Sequence, residues 1–583
     1  MWKFVILKLV ERIKNLKSSW QLPLVIFLGF LVRFIFLDKI PNAIGGDELT
    51  YILTAKSIAL TGKDLTQTWN PLSLFFFNYP PGQNQAELLY FLQIPFVGFI
   101  RSLLFSTRVL NLILGTGLIY LMYLIARELF DRKTALIAAL VTSFNPWSIY
   151  IGRTAYESIP AAFLYMLGFY VLLRAKEKTI LFSIPVFFLA FYSYIGTKII
   201  FLPFVILTVL YSYLFINKKK YRKYYLIVLA LCFILVAFFT FKTLVSPASR
   251  ASEILTPFSS EITKTVNTQR HLFVQTPLTS IFENKYSEFI RISIAKLFKI
   301  FSFDFLFIFG DQFYSINRNG LFYVLDLFFI LLSIGAMYVK KRKLLAILSL
   351  FIILTAVPHI LHSANDSNFS FHLTLLVPFL ILLIAYGINE FLSYFNGKAF
   401  YIVPILLVSL YIILITNFLN IYFFQHPLMG NFDFKLRLLS KYISLHKGKK
   451  FAIYSNGEAS LFEKYIFYTD YVNSDNKEKI ATDITEKNYS LGNVQISGCD
   501  STIGPAREEN KVIIFDTQCN YLGKDSPSLK IARLADGGAD FVIFNDNLCS
   551  KYNLRRYPNI TSLSSFDFEK MNSQRFCETF ITR

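Results

Sequence analysis

Charge is what this 583-residue chain has least of, and acids are the scarcer sign. Only 17% of its residues are charged against 54% hydrophobic, and the mean hydropathy is +0.47. A water-soluble domain of that composition would aggregate, so the membrane class is what remains. Asp and Glu number 38 against 59 Lys and Arg, a formal net charge of +21. That surplus invites a nucleic-acid reading. The basic residues instead fall in short clusters between apolar runs, as a multi-pass membrane protein requires, so no nucleic-acid partner is expected. Cysteine is scarce too. There are five, with no CxxC or Cys/His spacing of the kind that holds structural zinc. No internal repeat of about 20–50 residues or low-complexity stretch is evident, and the tail from 425 has no glycine-rich phosphate cradle.

What the chain does have is aromatic and aliphatic length. Phe 63 and Tyr 34 suit lipid-facing surface and interfacial belts. Crossing a bilayer takes roughly 20 apolar residues. Candidate spans lie at about 20–37, 108–130, 134–151, 158–174, 180–195, 199–216, 224–244, 320–339, 343–361, 373–391 and 399–418, about eleven in all. The first follows a basic tail (Lys3, Lys8, Arg12, Lys14, Lys17). No small-x-small cleavage site comes after it, so it reads as a retained helix rather than a signal peptide. Alternate connections then share one side, and they carry the dense basic clusters: Asp131-Arg132-Lys133, Arg174–Lys178, Lys218–Lys223 and Lys340–Lys343. The positive-inside bias places that side and the N-terminus in the cytoplasm.

Three long segments then fall outside: about 38–107, about 245–319 and the tail from 425. The apolar stretches Ala86–Leu104 and Ile292–Phe309 read as interfacial helices; counting the first as a full span would invert everything after it. The expected fold is a polytopic α-helical membrane protein of about 11 transmembrane helices over residues 1–424. A soluble α/β domain occupies residues 425–583. Its predicted strands are Lys450–Tyr454, Val512–Phe515 and Phe541–Phe544. Cys499, Cys519, Cys549 and Cys577 all lie in this tail and suggest two disulfides on an oxidising side. Pairing by proximity, Cys499 with Cys519 and Cys549 with Cys577, is one of three connectivities.

The outer ends of the spans gather the residues able to do chemistry. Asp47-Glu48 follows the first span and Arg108 opens the second. Arg153 and Glu157 lie in the turn between the third and fourth, and Lys198 between the fifth and sixth. Asp311 and Arg318 precede the eighth. His359, His362, Asp366 and His372 cluster between the ninth and tenth. Acids beside cations at a membrane surface suit transfer of a sugar from an anionic lipid carrier. Cations hold the departing phosphate, and a carboxylate takes the proton of the attacking hydroxyl. Plainer duties fit the same residues. Asp47-Glu48 could cap a helix, Arg153 and Glu157 could pair, Arg108 and Lys198 could reach lipid headgroups, and the histidines could sit idly at the interface. The histidines could also join a carboxylate around a divalent metal, although spacing fixes no ligand set and the metal stays unknown.

Taken together, these segments resemble the GT-C glycosyltransferases, in particular the protein O-mannosyltransferase and lipid A aminoarabinose transferase branch. The carriers are Gly46-Asp47-Glu48, Asn78-Tyr79-Pro80-Pro81-Gly82, Ser106-Thr107-Arg108, the run Tyr123–Lys133, the turn from Asn145-Pro146-Trp147 to Glu157, and Val357-Pro358-His359, within roughly residues 20–400. The resemblance implies the GT-C fold and an inverting transferase in the cell membrane. It would use a polyprenyl-phosphate-linked sugar as donor and act on a protein, lipid or glycan acceptor at the non-cytoplasmic face. It makes Asp47 the base, puts Glu48 beside the substrate, and has Arg153 and Glu157 line the same cavity. Two departures stand out. Histidines His359 and His362 occupy the place of an arginine common in the family. Tyr79-Pro80-Pro81-Gly82 lacks the basic residue usual in that motif. Rival readings are a lipid-linked sugar flippase and a non-catalytic cell-envelope assembly subunit. A flippase usually shows mid-bilayer charges and repeated halves. An assembly subunit needs no acids and cations at the mouth.

The orientation has a direct test. Single cysteines placed at 47 and 220 should differ toward a membrane-impermeant thiol reagent added to whole cells. The first should label and the second should not; the reverse pattern would invert the topology.

Overall fold

The structure, a computed structural model, describes all residues except 1–19, 80–85, 101–102, 215–218, 246–253, 275, 277, 312–314, 364–368, 398, 430–433, 447, 500–510, 521–527, 535 and 569. The basic N-terminal cluster, Pro80-Pro81-Gly82 and Asp366 therefore lie outside the described residues. Helix occupies part of every predicted span. Among the described residues, five helices are long and apolar enough to cross a membrane: Leu103–Leu129, Arg222–Leu244, Arg342–Ile360, Leu376–Ser393 and Ala399–Leu428. The chain is thus a multi-pass α-helical membrane protein with a strand-containing C-terminal domain.

The chain divides into two compact units. The first comprises residues 1–35, 73–89 and 111–418. Its innermost helix is Leu376–Ser393, of which nearly every residue is buried. Gly387 explains the close packing there: a Cβ would stand 2.0 Å from the Phe329 carbonyl oxygen of helix Val324–Lys340. The helix Ala399–Asn420 behaves oppositely. Ile405, Leu406 and Ile413 are each more than 60% exposed, and such a face is stable only against an apolar solvent. The predicted span 134–151 is not one rod. Helix Arg132–Phe144 stops at Asn145, and Pro146–Ile151 starts anew. Pro146 has no N–H to continue the ladder and holds Asn145 extended (ψ 130°), while the Asn145 side chain caps the new helix through Ser148 N.

The second unit comprises residues 36–72, 90–110 and 419–583. Among the described residues its sheet has seven strands: β1 (Lys450–Tyr454), β2 (Ser490–Leu491), β3 (Val494–Ser497), β4 (Lys511–Asp516), β5 (Leu529–Ala532), β6 (Ala539–Phe544) and β7 (Ile581–Thr582), in the order β2-β3-β1-β4-β6-β5-β7. β1 lies parallel to both β3 and β4; the remaining pairs are antiparallel. A parallel centre covered on both faces demands unbroken apolar runs, which is why Phe451–Tyr454 and Val512–Phe515 do not alternate. Helices Phe434–Leu445 and Glu458–Tyr468 pack on this core, and Glu458–Tyr468 also packs against Gly46–Thr61. The proximity pairing of cysteines is the one formed: Cys499–Cys519 and Cys549–Cys577.

The second bridge closes a separation of 28 residues. Chain-entropy arguments put its stabilisation at about 3.5 kcal/mol. Cys549→Ser/Cys577→Ser should lower the unfolding midpoint of the tail in the full-length protein, followed by amide hydrogen exchange. An unchanged midpoint would show that the bridge constrains nothing.

Candidate functional site

Asp47, Glu48 and Arg108 belong to the second unit. The segment Phe36–Gly45 precedes helix Gly46–Thr61, and its buried backbone groups need partners. Remote side chains supply them. Arg108, fully buried, donates from Nη1 to the Leu37 carbonyl (3.0 Å) and from Nη2 to the Ala43 carbonyl (2.8 Å). Arg437 Nη1 donates to the Asn42 carbonyl, and Asn42 Nδ2 to the Pro427 carbonyl (2.6 Å). The Tyr468 hydroxyl accepts from Ile44 N (3.0 Å). The rigid fork of a guanidinium suits this work, because it meets two carbonyls at a fixed separation. The Arg437 guanidinium also stacks 4.4 Å from the centre of the Phe568 ring.

That clamp sets how the helix begins. Gly45 is extended at the N-cap, and Glu48, buried, accepts from Gly45 N at 2.7 Å. Glu48 therefore closes a capping-box hydrogen bond. Asp47, one residue earlier in the same first turn, is exposed. Both carboxylates lie where the helix dipole favours negative charge. Burial pushes the Tyr468 hydroxyl up to about 12; Arg437, the Ile44 amide and Arg108 oppose the rise, and Glu48 adds to it. Tyr468 thus stays protonated at neutral pH, in the shared field of both arginines and Glu48.

The other predicted residues belong to the first unit. Arg153, fully buried, donates from Nη1 to the carbonyls of Val32 (2.9 Å) and Arg33 (2.7 Å) at the end of helix Gln21–Phe34. Those are carbonyls that a helix C-terminus leaves without intrahelical donors. Glu157 is buried at the start of helix Ser158–Arg174. Lys198 pairs with Glu87 inside the protein; the two side chains are 3% and 0% exposed. Tyr79 Oη donates to Glu87 Oε1 (2.5 Å) and stands 3.4 Å from Lys198 Nζ. The rings of Phe77, Phe191 and Phe239 surround the ammonium at 4.7–5.6 Å.

The histidines do come together. The rings of His362 and His372 are 4.7 Å apart and those of His359 and His372 6.1 Å. Tyr194 Oη lies 2.5 Å from His372 Nδ1, and Lys296 donates to the His362 carbonyl. Burial, and then the neighbouring His362 and His359, hold His372 well below the usual imidazole range, so it is neutral at pH 7. The same loop is tied to the Asn145–Trp147 turn by Trp147 Nε1 to the Ser370 carbonyl (3.1 Å), and Asp311 Oδ2 accepts from Ser370 N (2.7 Å). Among the described residues no three His, Cys, Asp or Glu side chains are arranged to hold a metal ion.

Residues 88–241, about a quarter of the chain, match the model of the dolichyl-phosphate-mannose-protein mannosyltransferase family. The matched segment contains Ser106-Thr107-Arg108, the run Tyr123–Lys133 and the Asn145–Glu157 turn. For that part of the chain it supports a GT-C membrane glycosyltransferase. No curated protein sequence matches the chain. Among solved structures, ArnT from Cupriavidus metallidurans is similar at 11% identity and a TM-score of 0.47, over 90% of this chain and 98% of that one. One of its structures is bound to undecaprenyl phosphate. The Archaeoglobus fulgidus oligosaccharyltransferase, tethered with an acceptor peptide, is similar at 13% identity and a TM-score of 0.44. That likeness covers 78% of this chain but 63% of the oligosaccharyltransferase, which is the longer protein.

Sequence reasoning passed over Glu87, Tyr194, Arg437 and Tyr468. A lone acid heading the apolar stretch 86–104 was a usable sign for Glu87, since buried charge in such a run is retained only with a partner. Nothing in the local sequence marks the other three.

The Lys198–Glu87 pair yields a prediction. Lys198→Met strands a buried carboxylate and should cost about 3–5 kcal/mol in unfolding free energy, whereas Lys198→Met/Glu87→Gln should recover most of it. Thermal unfolding in detergent reads both; equal destabilisation by the single and double variants would refute the pairing.

Proposed function

We propose that the protein is an inverting glycosyltransferase of the GT-C type. It moves a sugar from a polyprenyl-phosphate-linked donor to an acceptor hydroxyl on the non-cytoplasmic face. The observation that carries this reading is the divergence of the acid pair. Asp47 is exposed on a helix start whose preceding loop is fastened by buried arginines, while Glu48 is turned onto Gly45 N. In the proposed reaction Asp47 accepts the proton of the attacking hydroxyl. The acceptor oxygen bonds to the anomeric carbon, and the bond from that carbon to the carrier phosphate breaks. Free polyprenyl phosphate leaves with the electron pair. One base suffices because no covalent sugar–enzyme intermediate is formed; a retaining route needs a second carboxylate as nucleophile.

Cations are needed for the phosphate. Arg153 and Lys198 are assigned to it, with Glu157, His359, His362 and His372 lining the substrate's path. Support for Lys198 is its place beside Tyr79, at the head of the motif that lacks its usual basic residue. The side chain of Lys198 supplies in space the cation that the motif omits in sequence. Arg108 is assigned a positioning role, through the Leu37 and Ala43 carbonyls. The acceptor is a hydroxyl on protein, lipid or glycan.

Asp47→Asn keeps the size and helix-start geometry of the side chain but cannot take a proton. Purified variant, inserted and folded as the parent, should release free polyprenyl phosphate from labelled polyprenyl-phosphate sugar about a thousandfold more slowly. Near-normal turnover would remove Asp47 from the reaction.

A further inference from the structure

The last thirty or so residues of the second unit line an open surface cleft of about 490 Å³ that none of the preceding chemistry uses. That volume falls in the range of small-ligand sites, about 300–1,000 Å³. Its lining is unusual for such a site because it is almost wholly polar. Amides come from Asn553, Asn559 and Gln574, guanidiniums from Arg555 and Arg575, and one carboxylate from Glu578. An apolar lipid chain or a hydrophobic peptide anchor would find nothing to bury against here.

The walls are fixed in advance. Cys549–Cys577 staples one edge. Asn559 N donates to the Thr579 carbonyl (2.9 Å), and Arg555 is bridged through its backbone to Thr582 at the end of the sheet. The Asn572 side chain caps helix Ser573–Phe580 by accepting from Arg575 N (2.9 Å). These ties fix the backbone of the cleft before any ligand arrives.

Its chemistry specifies the ligand class. An amide side chain carries both donors and acceptors, which matches hydroxyls that do the same. Gln574 Nε2 donates to Glu578 Oε1 (3.1 Å), so the one acid is already engaged. Arg575 Nη2 donates to a neutral hydroxyl, Ser564 Oγ (2.9 Å). Among the described residues neither Arg555 nor Arg575 forms an ion pair. Two guanidiniums with no carboxylate partner among the described residues favour an anion with planar, bidentate geometry.

We infer that this cleft is a saccharide site that binds an acidic, polyhydroxylated sugar chain, with the carboxylate on Arg555 and Arg575 and the hydroxyls on the amides. That such a chain is the acceptor of transfer rests on the function proposed above; the site itself does not.

The test is direct binding to the full-length protein in detergent, with no donor present. Three probes are titrated: a uronic-acid trisaccharide, the matched neutral trisaccharide and inorganic phosphate. The uronic-acid probe should bind at least about tenfold more tightly than either of the others. Arg555→Gln/Arg575→Gln, both exposed and therefore tolerant positions, should erase that preference, while Asp47→Asn should leave it intact. Equal affinity for acidic and neutral sugars would overturn the acidic class. Phosphate binding as tightly as the uronate would overturn the saccharide class, and absence of all binding would overturn the site. In a separate assay with labelled polyprenyl-phosphate sugar, no release of polyprenyl phosphate by a protein that still binds the uronate would count against the transferase reading alone.

Discussion

Three buried carbonyls, those of Leu37, Asn42 and Ala43, constrain the geometry of the acid pair. Water cannot reach them, so each needs a protein donor, and an orphaned one would cost about 1–3 kcal/mol. Arg108 and Arg437 provide the donors, and Tyr468 takes the neighbouring Ile44 N–H. The loop is then no longer free to choose where helix Gly46–Thr61 begins. Gly45 becomes the cap, Glu48 bends back to satisfy it, and Asp47 is left facing water. Two adjacent carboxylates acquire different environments from a shift of one residue along a helix.

The same demand recurs in the first unit under a harsher solvent. The helix Ala399–Asn420 shows its apolar side chains outward, as a bilayer allows. Charges in that setting survive only with partners. Arg153 is spent on the last carbonyls of helix Gln21–Phe34, and Lys198 is paired with Glu87 behind a wall of aromatic rings. Cations so thoroughly engaged are poised rather than loose. For either to hold a phosphate, the proposed donor must compete with an existing partner, which favours an anion carrying more than one charge-bearing oxygen.

Much of this was legible in the chain. Unbroken apolar runs gave away the central strands β1, β4 and β6, because a strand covered on both faces has no reason to alternate. The short β2, β3, β5 and β7 were missed; two to four residues carry too little pattern to register. Cysteine spacing led to the right disulfides. The break at Asn145-Pro146 was readable from proline chemistry and was overridden by hydrophobic length. Of the site, the acid pair and Arg108 stood out, being polar residues at the ends of apolar runs. Arg437 and Tyr468 did not. Their importance comes from carbonyls and an amide more than 380 residues away in sequence, and backbone hydrogen-bond need leaves no mark on side-chain pattern.

In the proposed reaction one carboxylate acts as base and its neighbour is held on the backbone, so the transfer is direct and inverts the anomeric centre. The most direct measurement is the anomeric configuration of the transferred sugar, determined by NMR on product made with a donor of defined anomer. The account predicts inversion: a β-linked donor yields an α-linked product, and the converse. Retention would require a carboxylate nucleophile that the capped Glu48 does not offer, and would contradict the account at its centre.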